Sequence, residues 1–139
     1  MAATLRDDLD RGLTLPSNWY VDDAIFELEK QRIFHRSWQY VGHTVQVAKP
    51  GDFFTQQLGD IPIIVVRDAD GALRAHANVC RHRGSEVVRE CSGSRKLLQC
   101  HYHGWTHELD GRLRGAPRAN EQAGFEKDRL SLVSLAVGS

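Results

Sequence analysis

Two short segments of the chain each pair a cysteine with a histidine, and this feature constrains the fold and the function most. The four residues are Cys80, His82, Cys100 and His103. Thiolates and imidazoles are the side chains that bind iron and zinc in proteins. Because each segment supplies one ligand of each kind, the sequence predicts a shared metal centre, and the fold has to bring the two segments together.

The ligand set fits a binuclear iron–sulfur centre in which two cysteines bind one iron and two histidines bind the other. A neutral imidazole adds no charge to its iron, whereas a thiolate does, so mixed ligation makes the centre easier to reduce. The expected potential is about −150 to +300 mV, against about −400 mV for all-cysteine plant-type ferredoxins. The four residues therefore predict a protein that carries electrons.

A structural zinc site in an interaction protein is the alternative, because Cys2His2 sets also bind zinc tetrahedrally. Such sites usually place two cysteines together and two histidines further along the chain. Here each segment holds one of each, and the spacing Cys80-x-His82 is tighter than in the usual zinc loop. The zinc alternative predicts a colourless protein.

The residues around the ligands resemble the Rieske [2Fe-2S] N-terminal domain of ring-hydroxylating (Rieske non-haem iron) oxygenase alpha subunits. The matching segments are CRHRG at 80–84, CHYHGW at 100–105, LDGRLRGAP at 109–117 and, upstream, WY at 19–20, IF at 33–34 and SWQYVGH at 37–43. The resemblance covers about residues 15–137. It implies a mostly β fold: an antiparallel Rieske-type sandwich with two cluster-binding loops and an N-terminal α-helix.

The resemblance also implies roles for the ligands. Cys80 and Cys100 bind the inner iron of a [2Fe-2S] cluster, and His82 and His103 bind the outer iron near the surface. His103 is expected to contact an acidic residue of a neighbouring subunit, close to a mononuclear iron.

Neighbouring residues receive roles on the same basis. We expect Tyr102 and Trp105 to shield the cluster from water. Gly84 and Gly104 are expected to let backbone amides approach the sulfides. The arginines beside the first ligand pair, Arg81 and Arg83, could steer an acidic redox protein, or they could be solvated loop charges.

Two positions depart from the usual pattern of the family. His101 stands where proline is usual, and His107 stands where tyrosine or phenylalanine is usual. We expect His101 to lie on the loop surface rather than to act as a ligand, because His103 has the family's spacing from Cys100.

Respiratory Rieske proteins share the motif but carry two further cysteines that form a disulfide between the cluster loops. Ser85 and Tyr102 stand at the matching positions here, and Trp105 replaces a serine that hydrogen-bonds to a bridging sulfur. Fewer donors toward the cluster stabilise the reduced form less. We therefore expect a potential at the low end of the Rieske range, and a value well above zero would contradict that assignment.

The pattern of the chain predicts three segments: a flexible N-terminal lead over 1–15, a helical segment over 16–45 and the Rieske domain over 46–139. A helix over 21–36 begins at a capping aspartate and turns Ile25, Phe26, Ile33 and Phe34 inward. Strands are predicted over 38–41, 53–58, 61–67, 73–78, 97–99 and 112–113, with glycine and aspartate turns between them.

Charge and composition argue against some classes of partner. Lysine plus arginine and aspartate plus glutamate number 18 each, so no bulk field favours nucleic acid or a membrane surface. No apolar run approaches the roughly 20 residues of a membrane span. Two of the three cysteines are ligands, and Cys91 is left as a single loop thiol, which fits a reducing cytoplasm.

The resemblance implies a ferredoxin or flavin reductase as donor, and the catalytic domain of an oxygenase alpha subunit as acceptor. It also implies a homotrimer for the full-length protein. Oxygen activation needs a 2-His-1-carboxylate iron site, which the family places in a C-terminal catalytic domain. We expect the chain to be a fragment or separately encoded module without hydroxylase activity. A stand-alone Rieske ferredoxin is the alternative, and the substrate cannot be read here.

Overall fold

The structure is a computed structural model that describes residues 2–119 and 124–139. The chain divides into two compact units, Met1–Tyr40 and Val41–Ser139. This division falls earlier than the boundary after residue 45 that the sequence pattern suggested. Among the described residues, no helix is long and apolar enough to cross a membrane.

The first unit is helical. It contains α1 (Ala2–Asp10), a 3-10 turn (Ser17–Tyr20), α2 (Asp23–Arg32) and a second 3-10 turn (Phe34–Arg36). The predicted capping aspartate is confirmed: the Asp22 carboxylate accepts a hydrogen bond of 2.8 Å from the backbone N–H of Ala24, which satisfies a free donor of the first helical turn. Helix α1 lies within the segment for which only a flexible lead was predicted.

The apolar side chains of this unit remain largely exposed. Of the four residues predicted to face inward from α2 and the turn after it, only Ile25 is half-buried, while Phe26, Ile33 and Phe34 are exposed. The predicted strand over 38–41 is also absent, and Trp38 and Tyr40 are exposed. The amphipathic pattern therefore marks a face that the unit does not cover by itself.

The second unit consists of two antiparallel sheets, as the predicted fold class requires. The larger sheet has the order β4-β1-β2-β3-β8, and the smaller has the order β5-β6-β7. The strands are β1 (Asp52–Leu58), β2 (Ile61–Arg67), β3 (Leu73–Ala77), β4 (Ser92–Ser94), β5 (Leu98–Gln99), β6 (Thr106–His107), β7 (Leu113–Gly115) and β8 (Ser134–Leu135).

The central strands form where the sequence predicts them. Strand β2 is buried on both faces because its run IPIIVVR presents apolar side chains in both directions. One face, with Ile64 and Val66, joins the core cluster that also contains Cys80 and Cys100. The other face, with Ile63 and Val65, joins a second cluster. Each fully buried Val or Ile stabilises the fold by about 1.5–3 kcal/mol. The two cysteines therefore belong to a core cluster that contributes to the stability of the unit.

Two buried histidines lie near this core. His76 in β3 has its Nε2 3.1 Å from the Leu109 carbonyl oxygen, and its ring packs against Gly111 so closely that a Cβ there would lie 2.7 Å from the imidazole. His107 in β6 is fully buried, and neither of its ring nitrogens has a hydrogen-bond partner within normal geometry. The Gly111 carbonyl oxygen, which opposes the lowering of the His107 pKa, accepts a hydrogen bond of 2.8 Å from the Leu132 N–H.

Candidate metal centre

The two ligand-bearing loops have the same backbone geometry. In the first, the N–H of Cys80 donates to the Ser85 carbonyl at 2.8 Å, and the N–H of Gly84 donates to the Cys80 carbonyl at 3.0 Å. In the second, Cys100 donates to Trp105 at 2.8 Å, and Gly104 donates to Cys100 at 3.0 Å. The first loop follows β3, and the second joins β5 to β6. Each cysteine thus begins a loop of six residues that two backbone hydrogen bonds close.

Glycine is required in both loops by the backbone conformation. Gly84 and Gly104 each have φ of 72°, a left-handed conformation that residues with a Cβ rarely adopt. Space is not the reason, because a Cβ on Gly84 would have no neighbour within 4 Å, and one on Gly104 would lie 3.8 Å from Pro117. The approach of backbone amides to cluster sulfides stays a prediction.

The two cysteines form the buried side of the site. Cys80 is 3% exposed and Cys100 is 2% exposed, and Cys100 lies close enough to affect the pKa of the Cys80 thiol. Burial raises the pKa of the Cys80 thiol, the backbone N–H groups of His82 and Arg83 oppose that effect, and the neighbouring Cys100 raises the pKa further. Both cysteines are free thiols. The backbone donors already directed at Cys80 would stabilise a thiolate bound to a metal.

The two histidines form the exposed side of the site. The ring centroids of His82 and His103 lie 4.7 Å apart with an angle of 71° between the planes, and both residues are exposed. The pKa of His103 is lowered first by desolvation and then by the positive charges of His82, Arg83 and Arg118. The lowered pKa favours the neutral form of the His103 imidazole, which is the form that binds a metal.

Aromatic rings support the histidines from two directions. The Trp105 indole stacks on His82 with centroids 4.8 Å apart and 6° between the planes. The ring of Tyr102 lies 3.9 Å from His103 and is more than half exposed. Phe125 packs edge-on against Trp105 at 5.9 Å. Burial of Trp105 agrees with its expected shielding role, whereas Tyr102 remains largely open to solvent.

The four predicted ligands therefore come together as two pairs rather than as one ring of four. Among the described residues, no three His, Cys, Asp or Glu side chains converge so that they could hold one ion. A tetrahedral zinc would need all four ligands within about 2.0–2.3 Å of a single centre. A [2Fe-2S] cluster needs two protein ligands on each of two irons, with sulfide between them. The paired arrangement of the residues fits the binuclear group.

A cavity of about 680 Å³ opens beside the histidine pair. Its walls include Arg83, Trp105, Arg118 and Phe125, in addition to the two histidines. Arg118 has φ of 65° and is the only non-glycine residue with positive φ among those described. Arg118 and Phe125 were not predicted to lie at the site. Neither belongs to the ligand motif, and the residue type of Arg118 does not show that its backbone is left-handed. For Arg118, the only available signal was its position three residues after β7.

The two positions that depart from the family pattern have different environments. His101 is exposed on the second loop, as predicted, and its assignment as a residue that is not a ligand stays a prediction. His107 is fully buried in β6. An imidazole thus fills a core position where the family usually has a larger aromatic ring.

Comparison with known proteins gives the same assignment. Residues 37–127 match the Rieske [2Fe-2S] domain. This match covers both ligand loops and more than half of the chain. The chain belongs to the Rieske [2Fe-2S] domain family.

The curated relatives of this Rieske chain are oxygenase subunits. The chain is 43% identical over 120 residues to the N,N-dimethyl phenylurea N-demethylase subunit alpha of Sphingobium sp. (strain YBL2), covering 86% of this chain and 26% of that protein. It is 44% identical over 104 residues to the glycine betaine monooxygenase oxygenase subunit of Pseudomonas aeruginosa (strain UCBPP-PA14), covering 75% and 24%. It is 41% identical over 119 residues to the benzene 1,2-dioxygenase subunit alpha of Pseudomonas putida, covering 85% and 26%.

Solved structures agree with the fold. A quaternary ammonium Rieske monooxygenase in complex with an inhibitor superposes with a TM-score of 0.86 at 38% identity, covering 90% of this chain and 35% of the other. Naphthalene 1,2-dioxygenase with bound indole gives a TM-score of 0.75 at 36% identity, covering 81% and 26%. The chain spans about a quarter of the length of the curated relatives it matches. It corresponds to the Rieske domain of Rieske oxygenase alpha subunits, and that domain implies a [2Fe-2S] cluster.

Proposed function

We propose that this chain transfers single electrons from a ferredoxin or flavin reductase to the mononuclear non-haem iron of a Rieske oxygenase catalytic domain. The observation that carries the proposal is the arrangement of the two ligand pairs. Cys80 and Cys100 are buried, whereas His82 and His103 lie together on the surface. A centre held in this way has one protected end and one end that a partner can approach closely.

Each residue of the site has a definite task in this proposal. Cys80 and Cys100 would hold one iron of the cluster through sulfurs that lie buried in the core. His82 and His103 would hold the other iron at the exposed side, where a partner can approach. When bound, the [2Fe-2S] cluster supplies a centre that accepts and releases one electron. Because only the histidine end is exposed, we infer that electrons enter and leave there.

The oxygenase setting is supported by the extent of the likeness. The superposition on the quaternary ammonium Rieske monooxygenase covers 90% of this chain, including residues of the first unit as well as the second. We propose that the chain works beside an oxygenase catalytic domain, in a homotrimer when the subunit is whole. A stand-alone Rieske carrier would need no such helical unit. The cysteines are free thiols, which fits the cytoplasmic location that we propose.

The reaction of the whole subunit is a hydroxylation or demethylation that consumes oxygen, and it belongs to the catalytic domain. Among the relatives, some act on aromatic compounds and others on quaternary ammonium compounds, by their names. We expect this chain to supply electrons but no substrate pocket, and to have no hydroxylase activity by itself.

Ligand variants test the proposal. Cys80→Ser and Cys100→Ser should each abolish the visible absorption of the reconstituted chain, whereas Cys91→Ser, at an exposed loop position, should retain it. His103→Cys should keep iron but lower the potential from the Rieske range toward about −400 mV, because a thiolate adds negative charge. His101→Ala is the matched histidine control and should leave the potential unchanged.

Protein-film or optical redox titration gives the potential directly, and the parent chain should titrate with one electron at or below zero. A protein that keeps full absorption after Cys80→Ser would contradict the ligand assignment. A chain that cannot be reduced by a plant-type ferredoxin at about −400 mV would contradict the proposed function.

A further inference from the structure

We propose that His107 is a pH-sensitive switch on the second ligand loop: its neutral imidazole keeps the loop closed, and protonation opens it. The proposal rests on the proposed function, because it assumes that this loop holds iron through Cys100 and His103. It gives a role to a buried histidine that lies outside the ligand motif. The chain then retains its cluster at neutral pH and loses it faster in acid.

The second loop is closed at its base by two short strands. Leu98 of β5 lies opposite His107 of β6, and Gln99 lies opposite Thr106. These four residues are the base of the second loop. On its other side, His107 pairs with Leu113 of β7. A ladder of two residue pairs contributes little stability by itself, so the loop depends on how well each of its members is accommodated.

The His107 imidazole is fully buried at this base and lacks hydrogen-bond partners. Its exposed fraction is 0%, and among the described residues neither Nδ1 nor Nε2 forms a hydrogen bond. A protonated imidazole carries a charge and two N–H donors, each of which needs an acceptor or water. A buried charge without partners is costly, so protonation favours a conformation in which the ring reaches water.

The charged groups around β6 do not compensate a proton on His107. His76 of β3 is the titratable group whose charge acts on His107, and two imidazolium rings would repel each other. The charged side chains on the elements beside β6 are Lys96 before β5, Arg74 of β3 with Asp68, Glu108 with Arg114, and Asp110 with Arg112. The carboxylates among them are already paired with arginines.

The base of the first loop is built differently. There the buried Asn78 side chain donates to the Val88 carbonyl and accepts from the Val88 N–H, and Val79 forms an isolated bridge with Glu86. Asn78 does not titrate, and Glu86 is exposed. Acid therefore acts on the base of the second loop and leaves that of the first loop in place.

Proton linkage sets the size of the effect. Burial lowers the pKa of His107 from 6.5 to about 4 while the loop is closed, and opening returns the pKa toward 6.5. The open loop therefore binds a proton in this pH range that the closed loop does not. Between pH 7.5 and pH 5.0 the equilibrium constant for opening should rise about 15- to 30-fold.

Hydrogen exchange of the cluster-loaded chain tests whether the opening is local. After correction for the intrinsic chemical rate, peptides that cover residues 98–107 should exchange about 15- to 30-fold faster at pH 5.0 than at pH 7.5. Peptides from β2 should still be protected at those times. In His107→Phe, which cannot be protonated, the ratio for residues 98–107 should fall below about 5-fold.

Release of the cluster is the second measurement. Visible absorption is followed at both pH values after an excess of an iron chelator is added. Acid attacks the cluster directly in every variant, so His107→Phe supplies the baseline. The ratio of the release rate at pH 5.0 to that at pH 7.5 should be about 10-fold larger in the parent chain than in His107→Phe.

Two further variants control for folding and for charge. His107→Gln also cannot be protonated and should behave as His107→Phe does, so the test does not depend on accommodating a larger ring. His101→Ala removes an exposed histidine of the same loop. Its ratios should match those of the parent chain.

The outcomes separate the switch from the proposed function. Equal ratios in the parent chain, His107→Phe and His107→Gln would refute the switch, as would a loss of acid sensitivity in His101→Ala. Exchange of β2 together with residues 98–107 at pH 5.0 would show global unfolding and would also overturn it. If the parent chain has no visible absorption even at pH 7.5, the proposed electron-transfer function fails, and a switch on cluster retention fails with it.

Discussion

The Trp105 indole lies parallel to the His82 imidazole, with ring centroids 4.8 Å apart and 6° between the planes. The backbone carbonyl of Trp105 also accepts the hydrogen bond of 2.8 Å from Cys100 that closes the second loop. One residue of the second loop therefore closes its own turn and supports a ligand of the first. This contact couples the two loops through a side chain that is 4% exposed.

Replacing Trp105 tests that coupling. Trp105→Leu should remove the ring that supports His82 and destabilise the chain by about 3–5 kcal/mol, the usual cost of truncating a buried aromatic residue. Trp105→Phe keeps a ring and should lose less. Urea unfolding measures the loss of stability. The g-values of the reduced cluster are the second measurement, and a purely structural loss would leave them unchanged. Trp38→Leu, at an exposed position, is the control, and equal effects of the two leucine variants would contradict the role of the stack.

The pH dependence of stability should follow His107. Burial lowers the pKa of His107 from 6.5 to about 4; the Gly111 carbonyl opposes this shift, and the nearby His76 lowers the pKa slightly further. The unfolded chain therefore binds a proton between pH 6.5 and 4 that the folded chain does not. Stability from this group is complete above pH 6.5 and is lost as the pH falls toward 4, by about 3 kcal/mol in all. Urea unfolding at pH 5.0 and 7.5 measures the loss.

A variant isolates the contribution of His107 from those of other groups. His107→Phe cannot be protonated and leaves no buried nitrogen without a partner, so it should be more stable than the parent chain by about 1–3 kcal/mol at pH 7.5. It should also lose much of the acid sensitivity. An unchanged difference between the two pH values in this variant would contradict the assignment to His107.

The glycine in the second loop should be sensitive to substitution. Gly104→Ala forces a Cβ onto a backbone with φ of 72° and should cost about 1–2 kcal/mol. Gly115→Ala is the matched control, because Gly115 has no positive φ and no neighbour within 4 Å of the added Cβ. Cluster content per chain and urea midpoints are the measurements. A larger loss from Gly115→Ala than from Gly104→Ala would show that the loop conformation is not the constraint.

Asn78 should fix the segment that follows the first loop. Its side chain donates to the Val88 carbonyl at 2.7 Å and accepts from the Val88 N–H at 3.0 Å, and it is buried. Asn78→Leu leaves both groups of Val88 buried without partners, so the free energy of unfolding should fall by about 2–4 kcal/mol. Urea unfolding measures this fall, and a change below about 0.5 kcal/mol would show that water replaces both bonds.

The strands that contain long runs of apolar or alternating residues could be predicted from the sequence. Strands β1, β2 and β3 follow runs of five to seven residues with clear burial. Strands β4 and β6 were not predicted, because three residues of sequence SGS and two residues of sequence TH carry no periodic signal. The inward face predicted for α2 was wrong, since periodicity shows which side chains can be covered but not whether the unit covers them.

The ligand motif identified the candidate site, and the structure added its surroundings. Residue types and spacing predicted Cys80, His82, Cys100 and His103 as ligands, because the ligands in one loop lie within a few residues of each other in the sequence. Arg118 and Phe125 lie outside the ligand motif and line the cavity beside the histidine pair, so their place depends on tertiary structure. Likewise, the residue type alone does not show that the His107 ring nitrogens are buried without a hydrogen-bond partner.

The most direct measurement is an anaerobic optical and EPR spectrum of the purified chain, oxidised and reduced with dithionite, together with an iron and sulfide count. We predict a red-brown protein with about two irons and two sulfides per chain, and a reduced signal coupled to nitrogen from two histidines. A colourless protein that holds one zinc and no sulfide would contradict the account, and the four ligands would then form a structural site.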